Sequence, residues 1–275
     1  MTATSTTTGA PRRPRVLPFP VGLGMARYVV LRNATAFRRA WLLLLSGFVE
    51  PVFYLFSLGV GLGALIGTVT TDGGTVVGYA AFVAPALLAA SAMNGAIFDA
   101  TFNVFFKLRY QHLYDAMLAT PIGPRDVAVG EITWSLLRGS LYSAMFLVVA
   151  VVAGLVESWW ALLAVPAAML IGLAFGAVAM FTTTFMRSWQ DFDYVTLAIQ
   201  PMFLFSATFF PLSTSPDALE WVVRATPLYH GVALERGLMV GEVGWGLLWH
   251  VGYLLVLGAV GVVGTGRRIR TLLLS

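Results

Sequence analysis

Apolar residues along this chain come in runs far longer than a soluble helix needs. Six stretches, approximately 41–67, 76–106, 132–156, 159–186, 195–212 and 244–264, are long enough to cross about 30 Å of hydrocarbon, which takes about 20 helical residues. They are continuous rather than alternating, and that excludes a strand barrel. The second run exceeds one crossing, so its C-terminal end should project beyond the bilayer or tilt strongly. Ahead of them, Leu23, Ala26, Val30, Ala34, Phe37 and Trp41 recur at helical spacing, flanked by Arg27, Arg32, Arg38 and Arg39. This pattern predicts an N-terminal amphipathic interfacial helix over 23–40, lying in the headgroup plane; the alternative is a helix packed on another domain. Residues 1–22, rich in Thr, Pro and Arg, predict a disordered tail with no signal-peptide core.

Two connections carry helical patterns of their own. Residues 110–120 read as a short helix stopped by Pro121 and Pro124, with Tyr110, Leu113, Tyr114, Met117 and Leu118 as an adaptable apolar surface suited to a soluble partner. In 213–243, Ser215-Pro216-Asp217 looks like a helix start, and Pro227 separates helical patterns over 217–225 and 228–240. The expected fold class is an all-α integral membrane protein. Six transmembrane helices occupy 41–266, with a short helical hairpin on the outer side between spans five and six, and residues 267–275 form the C-terminal segment.

Composition agrees and closes other routes. Of the 275 residues, 58% are hydrophobic and 11% charged, against about 25% charged in a soluble domain; mean hydropathy is +0.82. With no cysteine, disulfides, thiolate metal sites and cysteine nucleophiles are excluded, and the three histidines (His112, His230, His250) form no zinc motif, so no metal site is expected. Lys107 is the sole lysine and does not follow glycine, so the chain has no phosphate-binding P-loop. Positive charge is unevenly distributed. Fourteen arginine and lysine residues fall on one side of the predicted spans and two, Arg224 and Arg236, on the other, which predicts cytoplasmic termini.

Ionisable groups in hydrocarbon are costly and therefore informative. Glu131, Ser135, Arg138 and Tyr142 recur at i, i+4, i+7 and i+11 along the third span. Glu131 and Arg138 lie about 10 Å apart along the helix axis, so their partners are expected on other helices. The stripe reads equally as a gate or as a structural seam. Asp99 and Asn103 share a face of the second span, either lining a cytoplasmic entrance or sitting beyond the membrane edge. Glu50-Pro51 should kink the first span, as a hinge or as structure alone. Glycines at 59, 63 and 67, and at 172 and 176, permit close helix contact, between subunits or within one. Phe203, Phe205, Phe209 and Phe210 would meet cargo or, more simply, lipid.

Four strings carry a resemblance: Tyr114-Asp-Ala-Met-Leu-Ala-Thr-Pro121 followed by Gly130-Glu131; Glu50-Pro-Val-Phe-Tyr-Leu55 leading to Gly59-Val-Gly-Leu-Gly63; Thr208-Phe-Phe-Pro-Leu212; and Pro227-Leu-Tyr-His230 with Arg236 and Gly241. From about Leu23 to its C-terminus the chain resembles the membrane subunits (permeases) of type-2 ABC exporters, notably nodulation-factor exporter permeases and their relatives among antibiotic-resistance and polysaccharide exporters. The resemblance implies a non-catalytic subunit in a bacterial inner membrane, dimeric with the same chain or a paralogue. It implies two copies of a separate ATPase that holds ATP and Mg, and an amphiphilic cargo such as a drug, lipid or lipid-linked glycan. Tyr110, His112, Leu113, Tyr114, Asp115, Met117, Leu118 and Thr120 would form the coupling helix against the ATPase. Glu50, Pro51, Tyr54, Asp99, Asn103, Glu131, Ser135, Arg138 and Tyr142 are the gate or pathway candidates. Phe209, Phe210, Pro227, His230 and Arg236 belong to the outer hairpin. A proton-driven secondary multidrug transporter is the alternative, though it would want a chain of midplane acids and Glu50 is the only strong one. An intramembrane enzyme lacks a recognisable catalytic set.

Overall fold

The structure, a computed structural model, describes residues 24–38, 49, 51–214 and 216–274. The expected tail over 1–22, the first part of the first span with Trp41, and Glu50 lie outside the described residues. Helix α1 (Ala26–Arg38) is followed by α2 (Pro51–Ile66), a β-hairpin of β1 (Thr68–Thr70) and β2 (Val76–Gly78), and the long α3 (Tyr79–Leu108). Then come the six-residue α4 (Leu113–Leu118), α5 (Pro124–Val152), α6 (Trp159–Thr183), α7 (Asp191–Leu204), α8 (Asp217–Ala225), α9 (Pro227–Val240) and α10 (Gly246–Leu274).

Four described helices, α3, α5, α6 and α10, are long and apolar enough to cross a membrane. Buried in the middle, α3 and α6 pack on each other and on α5, while α9 packs on α3 and α10 on α6. Little but apolar contact holds such helices together in lipid, so close backbone approach matters. At Gly261 of α10, a Cβ would lie 2.6 Å from the Ala177 backbone of α6. At Gly130 of α5, a Cβ would lie 2.6 Å from Cβ of Val29, and this is how α1 reaches α5. Gly172 and Gly176 face Ala96 of α3, and so serve contacts within the chain.

Several expectations are corrected here. The second apolar run does not begin a helix at Val76, because Val76–Gly78 pairs antiparallel with Thr68–Thr70, in register Thr68↔Gly78 and Thr70↔Val76. The fifth run is not helical to Leu212. Helix α7 ends at Leu204 after 14 residues, and the chain then bends through Ala207, whose left-handed φ of 57° no helix accepts. Helix α5 starts eight residues before the apolar run, since Gly123 donates its amide to the Asp126 carboxylate and Pro124 opens the first turn. Helix α10 continues to Leu274, beyond the expected end of its span. In α1 the buried face is Ala26, Val29 and Asn33, set against α5, rather than one centred on Val30, Ala34 and Phe37.

Candidate functional site

The polar stripe of α5 finds its partners on two other helices, α1 and α3. Lys107, near the end of α3, places Nζ 2.6 Å from Oε2 of Glu131. Asn33 of α1 donates its amide to the same oxygen at 3.0 Å and accepts from Lys107 at 3.2 Å. The other Glu131 oxygen and the Ser135 hydroxyl have no hydrogen-bond partner and border a cavity of about 10 Å³ against Gly172 and Gly176. One turn of α5 further on, Arg138 pairs with Asp99 of α3 at 2.8 Å, and Asn103 donates to the same Asp99 oxygen. Asp99 is thus buried between helices. Around these residues α3 widens into π-helical turns over Asp99–Asn103 and Phe106–Tyr110, a distortion common at functional sites.

Arg138 also faces a cleft of about 440 Å³ between α2, α3, α5 and α7. Pro51, Tyr54, Tyr142, Asn94, Gln200 and Phe203 line it. The guanidinium lies 5.6 Å from the Phe37 ring and 5.9 Å from that of Tyr142. The structure therefore gathers the gate candidates into two linked sites: Glu131 and Ser135 in a knot with α1, and Pro51, Tyr54, Arg138 and Tyr142 around the cleft, with Asp99 and Asn103 behind Arg138.

Helix α4 hangs beneath the knot. His112, at a left-handed φ of 45°, turns the chain into it, and its ring meets the Asp115 carboxylate at 3.1 Å. Tyr114 and Met117, three residues apart on one face, are buried in the main apolar core, and Leu113 packs beside them. Burial pushes the Tyr114 phenol well above its usual range, and the Glu131 carboxylate adds to the shift. This corrects the expected docking surface. Tyr114 and Met117 point into the protein, whereas Tyr110, His112, Asp115, Ala116 and Thr120 are exposed and Leu118 is half-buried. A six-residue helix has one side for the core and one for a partner, and the two large apolar residues take the core.

At the other end of the bundle, Arg236 of α9 is buried. It donates to the carbonyl oxygens of Ala207 at 2.8 Å and Phe82 at 3.3 Å, and lies 3.9 Å above the Phe82 ring. It thereby anchors the bend after α7. Phe209 and Phe210 are half-buried there, Phe209 edge-on to Phe203 at 5.3 Å, and Pro227 opens α9. The β-hairpin is tied in by Glu242, which accepts from the Thr71 hydroxyl, and by Asp72, which accepts from the Ser213 amide at 3.2 Å.

Comparison with known proteins decides what this arrangement belongs to. The family model described as ABC-2 type transporter matches residues 26–240, from α1 through α9. This chain belongs to the ABC-2 type transporter family. It is also similar to Nodulation protein J of Rhizobium leguminosarum bv. viciae, at 36% identity over 228 residues, covering 82% of this chain and 86% of that protein. Nodulation protein J of Rhizobium meliloti (strain 1021) is 37% identical over 224 residues, covering 80% and 82%.

As an ABC-2 permease the chain is a multi-pass, non-catalytic membrane subunit of an exporter, and the family implies a partner ATPase subunit. The proton-driven alternative loses its support. Every coupling, gate and outer-hairpin candidate named from the sequence falls within the matched region, Glu50 included, although Glu50 lies outside the described residues. Sequence reasoning missed Asn33, Asn94, Gln200 and the role of Lys107. Two signals for them existed: Asn33 is a polar residue beside the apolar stripe of the first helix, and Lys107 is a lone lysine beside a span. It also missed Glu235 on α9, fully buried with neither oxygen hydrogen-bonded, whose carboxyl burial pushes well above the usual range.

One pH dependence follows for this permease. Nδ1 of His230 on α9 lies 2.8 Å from Nδ1 of His250 on α10, and the His230 ring stacks on Tyr253 at 3.9 Å. Burial, aided by the His250 ring, lowers the His230 pKa to about 4. An unfolded histidine titrates near 6.5, so between these values the unfolded chain binds more protons. Stability that is full above pH about 6.5 should therefore fall as pH drops towards 4, by an order of 1 kcal/mol after discounting for solvent screening. Buried Glu235, whose raised pKa acts in the opposite sense, is common to both proteins, so in thermal unfolding in mild detergent the wild type should lose stability relative to His230→Phe as pH drops across that window.

Proposed function

We propose that this permease works as a dimer, with the same chain or a paralogue, and forms an export pathway driven by two copies of a separate ATPase that binds ATP and Mg. Both termini and α4 lie on the cytoplasmic side of a bacterial inner membrane, and α8 with α9 cap the outer side. The charge asymmetry along the chain supports that orientation. In this reading α1 lies at the inner interface with exposed Tyr28 and Leu31 towards lipid. An amphiphilic cargo is supported by the cleft, where amide and guanidinium groups share one wall with Tyr54, Phe98 and Phe203.

The observation that carries the proposal is the seating of α4. Its exposed side is free for a soluble partner, while Tyr114 on its inner side abuts the Glu131 network that joins α1, α3 and α5. A push on α4 is thereby delivered to three helices together, as a lever between two packings requires. Asp115→Arg reverses an exposed charge without touching the core. In proteoliposomes containing the partner ATPase, it should leave membrane insertion and thermal unfolding unchanged while lowering ATP-dependent transport at least about tenfold, a loss on the order of 1.4 kcal/mol of coupling. Unchanged transport per ATP hydrolysed would remove α4 from the coupling surface.

A further inference from the structure

On the opposite side of α7 from the cleft lies a second, larger concavity of about 940 Å³. Phe175 and Val178 of α6, Tyr194, Ala198 and Met202 of α7, and Leu257 of α10 give it an apolar wall, and Ile199 borders both spaces. Only one end of the groove carries charge. There Arg187 and Ser188 form the rim, followed by Asp191, and the far end closes at Pro227. The Asp191 carboxylate is already engaged, accepting the backbone amides of Arg187 at 2.6 Å and Ser188 at 3.1 Å. Those two bonds hold its pKa below the usual carboxylate value. Beside this rim, Arg268 of α10 lies 4.8 Å above the ring of Phe185, itself a lining residue. The Arg268 Nε is buried with no hydrogen-bond partner. Among the described residues, neither Arg187 nor Arg268 has a carboxylate within ion-pair distance.

We propose that this groove is a binding site for one anionic phospholipid, with an acyl chain along α6, α7 and α10 and the phosphate between Arg187 and Arg268. The length fits. From Asp191 to Met202, α7 rises roughly 16 Å at 1.5 Å per residue, about half of the roughly 30 Å hydrocarbon thickness. That is the depth of one leaflet, with both cations at its headgroup end. A guanidinium with no carboxylate partner gains by donating to a phosphate oxygen, because a charge-assisted hydrogen bond is stronger than a neutral one. A zwitterionic headgroup offers the same phosphate but brings its own cation to two arginines, so selectivity is expected. The site is separate from the cargo cleft and from α4. On the topology proposed above, it faces the inner leaflet, and a lipid there would brace the wall of α7 that the cleft uses.

The test is lipid retention by the full chain, purified from bilayers of equimolar phosphatidylglycerol and phosphatidylcholine in mild detergent and weighed by native mass spectrometry. The wild type should keep one phosphatidylglycerol in preference to phosphatidylcholine, by roughly fivefold for each arginine. Arg187→Gln with Arg268→Gln should abolish the preference, and Arg268→Lys should retain most of it. Ala198→Trp, which fills the groove, should lose the bound lipid of either type. If the double variant does not fold, Arg187→Gln alone, at an exposed position, should still show a reduced preference. Equal retention of the two lipids by the wild type, or an unchanged preference in the double Gln variant or in Arg187→Gln alone, would overturn the proposal. So would a lipid-free wild-type dimer, which would assign the groove to a second copy of this chain. These outcomes are independent of the Asp115→Arg transport assay, so failure here leaves the coupling role of α4 standing, and the converse holds as well.

Discussion

Lys107→Met should destabilise the permease by about 3–5 kcal/mol, because it leaves the Glu131 carboxylate buried without its cation. Oε2 of Glu131 would keep only the Asn33 amide, and Oε1 already lacks a partner. Lys107 Nζ also donates to Asn33, so α1 loses part of its attachment to α5 at the same time. The measurement is thermal or denaturant unfolding in mild detergent. Adding Glu131→Leu to Lys107→Met should restore much of the loss, since no charge is then stranded, while Glu131→Leu alone should cost nearly as much as the lysine change. Wild-type unfolding of Lys107→Met would mean that the ion pair is not what joins these helices. The same variant has a functional consequence in the proposed mechanism. With the knot loosened, displacement of Tyr114 no longer moves α1, α3 and α5 together, so the doubly substituted protein should insert and fold yet hydrolyse ATP with little transport.

A comparable loss is expected from Arg138→Met, again about 3–5 kcal/mol, since Asp99 would retain only the Asn103 amide in a buried position. Here stability and function separate more sharply. Asp99→Asn combined with Arg138→Gln removes both charges and should fold close to the wild type. It also removes the guanidinium from the cleft shared by Tyr54, Tyr142 and Gln200. A hydrogen bond from a charged group is worth about 1.5–3 kcal/mol, so transport by the double variant should fall roughly tenfold to a hundredfold. Transport at the wild-type rate from a stable double variant would make the pair structural only. The two ion pairs lie about two turns apart on α5 and both join it to α3, so through that shared contact their effects should be non-additive.

The site was partly legible in advance. Spacing alone placed Glu131, Ser135, Arg138 and Tyr142 on one face of α5, and the distance between Glu131 and Arg138 implied that each needed a partner elsewhere. It did not say which. Asn33 is 98 residues from Glu131 in sequence and Lys107 is 24, so no local pattern links them. The short helix α4 was similarly half-read: Tyr114 and Met117 were recognisable as its apolar face, but an apolar face serves a partner and a core equally well. Only the position of α5 above them decided for the core. The bend after α7 was hidden because residues 205–212 are apolar enough to continue a span. Their departure from the helix depends on Arg236, buried and held to the Ala207 carbonyl.

What the sequence by itself determined is the membrane character of the chain, its helical make-up, the lack of a nucleotide-binding loop, and the family to which four spaced strings point. Those features depend on single segments. In hydrocarbon each backbone amide must be satisfied within its own helix, so a long apolar run declares itself without reference to its neighbours. The tertiary structure alone decided that Glu131 meets Lys107 and Asn33, that Arg138 meets Asp99, and where α7 stops. An ion pair between helices depends on how far one helix is rotated and shifted against another. Those offsets are set by a few close contacts, such as Gly130 on Val29 and Gly261 on Ala177, and a contact of that kind belongs to two segments together and to neither one alone.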